Sequence, residues 1–231
     1  MKNTFVCVTF RKQRDHRISD LLEIVKHDFK IPVLEVRANI YIDVARSLLS
    51  CRALEQGADV TLFIDDDMIF DPHDIEPLAE SARATRGIVG AAYSQRKPAG
   101  GVVGAFDAPS SGPATFFDGG GLLPVSSGPL GMGFTAIHRD VYTKIDLLLE
   151  YQTVQSDEGP MRPYFQKLIT DEGYWLKEDG SFCHTARETG SSLHVDSRIR
   201  VFHVGEYDYA LEDCQWQVPR LPSLQLSLKK P

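Results

Sequence analysis

The chain has 231 residues, 42% of them hydrophobic and 25% charged, which suits one generous hydrophobic core in an ordinary globular protein. Its net charge of −7 argues against a broad electrostatic grip on nucleic acid or an anionic membrane, while leaving room for a local basic groove. Cys7, Cys51, Cys183 and Cys214 are far apart and show no C-x-x-C spacing, so neither a zinc site nor a disulfide framework is supported, and reduced thiols in a cytoplasmic protein are the simplest reading.

In chain order, Thr4 to Phe10 (TFVCVTF) is rich in β-branched and aromatic residues and predicts a central strand. This run is too short for a signal peptide or a membrane span, and no other window is long and apolar enough to cross a bilayer. Asp15 to Phe29 carries Ile18, Leu21, Leu22 and Val25 at helical spacing. Pro32 breaks that pattern, and Val33 to Val36 is a second strand. A helix follows from about Ile42 to Gln56, with Gly57 as its stop. Val60 to Ile64 (VTLFI) predicts a third strand covered on both faces, running straight into Asp65, Asp66 and Asp67. Asp71-Pro72 and Glu76-Pro77 mark a short turn and then a helix through about Thr85, because proline suits a first helical turn. Ile88 to Tyr93 is a fourth strand.

Residues 1–97 thus read as a doubly wound α/β half, in which ligands sit beyond the carboxyl ends of the strands. The Asp65–Asp67 cluster lies at such an end, as do Arg11 and Ser94 to Lys97. From Pro98 to Gly133 glycine and proline are dense, which predicts hairpins and loops over the sheet edge and not a second globular domain. Helices are expected at Arg139 to Leu149 and near Glu178 to Thr189, and a late strand at Arg198 to Val204. Residues 98–213 read as the second half of a single domain spanning 1–231, and 214–231, with Trp216, Pro219 and Pro222, as a tail against the surface or a partner.

Asp65 and Asp67 stand two apart at the end of an extended segment, so their side chains can project to one side. Mg²⁺ and Mn²⁺ prefer carboxylate oxygens, and a site with few protein ligands leaves positions for phosphate. A metal held that way stabilises a diphosphate leaving group. The plainer reading is an acidic turn capping the next helix.

The segment LFIDDDMIF (Leu62 to Phe70), preceded by VARSLLSCRALEQGADV, resembles the Asp-x-Asp motif and donor half of the GT-A nucleotide-sugar glycosyltransferases. GPLGMGFTAIHRDVY (Gly128 to Tyr142) resembles that family's segment beneath the donor sugar, where Gly131 and Gly133 let backbone approach a ligand closely; a plain tight turn is the alternative. KEDGSFCHTARETGSSLHVD (Lys177 to Asp196) resembles the family's Glu-Asp motif at a helix start, and VFHVGEYDY places His203 where a C-terminal histidine completes the metal shell.

The resemblance implies a Rossmann-like GT-A fold: a mixed, mostly parallel sheet flanked by helices, with a hairpin and loop acceptor side. It implies a Mn²⁺ or Mg²⁺ ion on Asp65, Asp67 and His203, and donor contacts from Thr9, Arg11, Arg46, Asp65, Asp66, Gly131, Met132 and Gly133. Arg46 reads either as a diphosphate ligand or as a helix-surface charge. Asp179, with Glu178 as second choice, is the implied general base of an inverting displacement; helix N-terminal acids stabilised by the dipole are the alternative. The donor is a nucleotide-diphosphate sugar, with UDP the family-level expectation. The acceptor stays open among glycan, lipid carrier, protein, small molecule and hydroxylated DNA base. Arg11 to Arg17 and Arg96-Lys97 keep a polyanionic acceptor open, though the overall acidity counts against one.

Three other readings compete. A phosphotransferase with an aspartate nucleophile carries its D-x-D motif on the first strand, whereas two β–α units come first here. A sugar nucleotidyltransferase carries a glycine-rich loop after its first strand, and FRKQRDH (Phe10 to His16) has no glycine. A non-catalytic nucleotide-sugar or glycan-binding module would not need Asp65, Asp67, Asp179 and His203 together.

Overall fold

The computed structural model describes residues 3–10, 15–37, 41–97, 101–107, 109, 112–150, 152–205, 207–214 and 223–226. The first part alternates: β1 (Thr4–Phe10), α1 (His16–His27), β2 (Val33–Arg37), α2 (Ile42–Glu55), β3 (Val60–Asp65), β4 (Met68–Ile69), α3 (Ile75–Thr85), β5 (Ile88–Gly90) and β6 (Tyr93–Ser94). Short strands then follow: β7 (Val102–Val103), β8 (Ala114–Phe117), β9 (Leu122–Pro124) and β10 (Phe134–His138). After α4 (Arg139–Leu149) come two hairpins, β11 (Val154–Ser156) with β12 (Gly159–Met161) and β13 (Leu168–Ile169) with β14 (Trp175–Leu176). The chain continues through α5 (Glu178–Glu188), β15 (Leu193–Asp196), β16 (Phe202–Val204), β17 (Asp208–Tyr209) and β18 (Ser223–Leu226).

A seven-stranded sheet in the order β2-β1-β3-β10-β5-β15-β9 organises these elements. Strand β1 runs parallel to β2 and β3, and β5 parallel to β15. Strands β10 and β9 run against their neighbours. Alternate residues of β1 serve opposite faces, as the strand period of two requires. Phe5 and Cys7 pack with Ala45 and Leu49 of α2, Tyr142 of α4 and Phe182 of α5. Val6 and Val8 pack with Ile18 and Leu22 of α1 and Leu78 and Ala82 of α3. Helices therefore cover both faces, and α2 and α5 share one of them. Among the described residues no helix is long and apolar enough to cross a membrane.

The sequence reading needs correction in three places. Phe134–His138, not predicted as a strand, is an interior antiparallel strand between β3 and β5, entered from the glycine-dense segment that predicts hairpins and loops. The run Ile88 to Tyr93 divides into β5 and β6: after Gly90 the chain leaves the sheet, and Tyr93–Ser94 pairs with β7. Only Phe202–Val204 of the expected late strand is extended in a ladder, while an unanticipated strand, β15, precedes it. Part of the tail, β18, pairs with β8; Trp216, Pro219 and Pro222 lie outside the described residues.

Candidate active site

The acidic segment leaves the sheet where α/β folds collect ligands. Asp65 is the last residue of β3 and lies opposite Thr9 of β1 in register. Its backbone N–H donates to the Gly133 carbonyl at 3.0 Å. Asp66 and Asp67 form the turn into β4. That turn is gripped from the far end of the chain: β16 pairs with β4, with His203 opposite Met68, and the Val204 N–H donates to the Asp67 carbonyl at 2.8 Å.

Behind Asp65 lies Arg46. The apolar stripe of α2 faces the sheet, and Arg46, beside Ala45, is carried inward with it, leaving its side chain only 4% exposed. Its Nη2 donates to both Asp65 oxygens, at 3.0 and 3.3 Å. Its Nη1 donates to Glu178 Oε1 at 3.2 Å and to Asp179 Oδ1 at 3.4 Å. Both acids sit in the first turn of α5, where the helix dipole favours negative charge. Burial works against the Arg46 charge, but Asp65, Asp179 and Glu178 outweigh it and hold the group above its ordinary pKa. Glu178 is shifted upward by burial and by the neighbouring Asp179, with Arg46 pulling the other way. Arg46 is thus neither a helix-surface charge nor directed at a diphosphate in this arrangement. It is the cation that joins the Asp-x-Asp turn to the acids of α5, a connection between positions 46, 65 and 178–179 that spacing along the chain does not reveal.

On the solvent side, Arg96 Nη1 lies 2.8 Å from Asp67 Oδ2, and His203 Nε2 lies 3.5 Å from the same oxygen. His203 Nδ1 is 3.0 Å from the Ser94 carbonyl. A carbonyl only accepts, so Nδ1 carries a hydrogen; in the neutral form of the ring the lone pair is then on Nε2, the nitrogen that faces Asp67. The Tyr93 ring meets the imidazole edge-on at a centroid separation of 5.4 Å. Among the described residues no group of three or more His, Cys, Asp or Glu that could hold a metal ion is assembled. The expected trio is therefore divided: Asp67 and His203 face each other, while Asp65 is turned to Arg46.

The glycines beneath the site have a packing reason. A Cβ on Gly131 would stand 2.4 Å from Tyr93 Oη and 2.6 Å from Val103 Cγ1, and one on Gly133 2.7 Å from Tyr93 Oη. The buried Tyr93 hydroxyl also accepts from the Gly133 N–H at 3.1 Å. Both positions thus admit only glycine without displacement of their neighbours. Met132 between them is fully buried in the core, so its side chain is not a donor contact. Thr9 is likewise buried. Arg11 lies outside the described residues, and Arg17, from the same basic cluster, is paired with Asp15 at 2.8 Å and Asp208 at 2.6 Å.

Gly131 and Asp179 border a cavity of about 480 Å³ that is also lined by Trp175 and Leu176 of β14 and by Thr170, Glu172 and Tyr174 of the turn before it. Asp179 is 30% exposed against 15% for Glu178, so of the two acids it is the one better presented to a ligand. Sequence reading placed Ser94 at a strand's carboxyl end but missed Tyr93 and the hairpin aromatics. The position of Tyr93 as the last residue of that strand was the available signal for it.

No family model and no curated protein sequence matches this chain. Solved structures do resemble it. A197 from STIV superposes with a TM-score of 0.56 at 16% identity, covering 100% of this chain and 99% of that one. GalNAc-T7, solved with UDP, GalNAc and Mn²⁺, superposes with a TM-score of 0.51 at 12% identity, covering 93% of this chain and 45% of that one. At such identities the likeness concerns architecture: the chain has a GT-A type α/β fold, with a mixed, mostly parallel central sheet flanked by helices.

Proposed function

We propose that the protein is a glycosyltransferase that moves a sugar from a nucleotide-diphosphate donor, UDP being the first candidate, to an acceptor hydroxyl with inversion. The observation that carries this reading is the convergence through Arg46: it brings the Asp-x-Asp turn within one side chain of Asp179 and Glu178. A donor-binding end and a base-bearing end thereby share one site. The UDP and Mn²⁺ of the GalNAc-T7 structure favour the same assignment.

The donor chemistry fits a Mn²⁺ or Mg²⁺ ion held by few protein ligands. A carboxylate oxygen and an imidazole lone pair face each other at 3.5 Å, an arrangement that a cation between them satisfies, and the Ser94 carbonyl orients the ring as supporting partners of metal-bound histidines do. Asp67 and His203 would hold the ion, and Asp65 would join only by leaving Arg46. When bound, the ion supplies charge neutralisation at the diphosphate leaving group.

The remaining steps belong to the chain. The carboxyl ends of β1 and β3 border the nucleoside, and Arg96, half-exposed beside Asp67, is a cation within reach of phosphate. Asp179 accepts the proton of the acceptor hydroxyl as its oxygen attacks the anomeric carbon. Arg46, whose Nη1 donates to Asp179 Oδ1 at 3.4 Å, holds that carboxylate in position. The domain reading follows: residues 1–97 hold the donor, and 98–213 the acceptor and base.

The test is calorimetric titration of UDP, with and without Mn²⁺, into wild type and Asp67→Ala. Mn²⁺-dependent binding that the variant loses is expected. Equal binding without metal, or no binding of UDP, GDP, CDP or TDP, would sink the reading.

A further inference from the structure

We infer that the cavity beside Asp179 is the acceptor subsite and that its ligand is a carbohydrate, with a pyranose face laid against Trp175. The inference rests on the glycosyl-transfer reading for its role in catalysis, while recognition of the sugar is argued from the cavity itself. Trp175 and Tyr174 are 70% and 69% exposed and both border this space of about 480 Å³. A two-stranded hairpin has no core of its own to fill, and Trp175 pairs in register with Ile169, itself 67% exposed. An exposed apolar group of this size beside a cavity marks a ligand surface.

The chemistry around the ring narrows the ligand. An aromatic face is the negative pole of its quadrupole, and the axial C–H groups on one side of a pyranose are weakly positive. Asp179, Glu172 and His184 border the same cavity and offer acceptors and a donor for the hydroxyls around a sugar's rim. Nucleobases also stack on aromatics, but on this lining Lys177 and Arg187 are balanced by Glu172 and Asp179, so the cavity holds no excess of fixed cations to draw phosphates onto a chain of net charge −7. A peptide hydroxyl needs no aromatic plane.

The platform is fastened to the base. Ser181, buried two residues beyond Asp179, accepts from the Leu168 N–H at 3.1 Å and donates to the Leu176 carbonyl at 3.1 Å. One hydroxyl thus ties both strands of the hairpin to the helix that carries Asp179, so a sugar resting on Trp175 has its hydroxyls held at a set position relative to the carboxylate.

The chain has two tryptophans, Trp175 and Trp216, so Trp216→Phe leaves Trp175 as the sole indole reporter. Methyl pyranosides and oligosaccharides of glucose, galactose, mannose and N-acetylglucosamine are titrated into that protein, with single-stranded oligonucleotides and serine peptides as competing arms. A saturable change in emission with a sugar, absent with the other two, is expected. In transfer assays Trp175→Ala should raise the KM for the responding sugar at least about 10-fold, with UDP–Mn²⁺ binding unchanged. No sugar response in a protein that binds UDP and Mn²⁺ would overturn the inference and leave the donor reading intact, as would a response to oligonucleotide or peptide alone. A sugar response without nucleotide binding would support the carbohydrate site and remove the transferase reading.

Discussion

Asp65 and Asp67 are two residues apart, yet the two sides of the site solve the same problem of negative charge differently. On the inner side one buried guanidinium serves three carboxylates, with Arg46 4% exposed. On the outer side Asp67 meets Arg96, 48% exposed, and His203. Charges withdrawn from water are costly unless paired, so breaking such a pair is severe, whereas an exposed pair exchanges partners at little cost. The inner cation is therefore part of the fold, and the outer one can yield to a ligand.

The largest expected effect tests this contrast directly. Arg46→Met should destabilise the protein by about 3–5 kcal/mol, against about 0–1 kcal/mol for Arg96→Ala, in urea denaturation. Equal losses would erase the distinction. Next, His203→Ala should weaken Mn²⁺ binding about 10–100-fold in a calorimetric titration with UDP present; an unchanged affinity would take the imidazole out of the outer side. Gly133→Ala, between the two sides, should cost about 1–3 kcal/mol through overpacking on Tyr93. Adding Tyr93→Phe should restore part of that loss, and a thermal melt of the three proteins decides it.

The smallest effect is a pH dependence of the inner side. Glu178 has a raised folded pKa, so the folded state binds its proton more tightly than the unfolded chain does. Its contribution to stability is present below its ordinary value of 4.5 and is lost as pH rises through the raised value. Glutamine does not ionise, so the stability of Glu178→Gln relative to wild type should climb as pH rises from 4.5 toward neutrality. A flat difference across chemical denaturation curves would contradict the shift.

Local pattern determined the first half of this protein as far as α3, and failed only at Ile88 to Tyr93, which divides at Gly90. VTLFI followed by three aspartates predicts β3 and its acidic end, and Ile18, Leu22 and Val25 predict the buried stripe of α1, because strand and helix periods act over neighbouring residues. The candidate acids Asp65 and Asp67 were picked out for the same reason, following the strand that ends in them, whereas Glu178, Asp179 and His203 entered through the motifs that carry the family resemblance. The tertiary structure alone decided their partners. Strand β10 enters the sheet through pairings with β3 and β5 that no local window contains, and its preceding glycines answer to Tyr93, some forty positions earlier. Arg46 read as either a surface charge or a phosphate ligand, because its meaning depends on acids 19 and more than 130 residues away. Trp175 passed unnoticed because exposure, unlike periodicity, is a property of the folded surface.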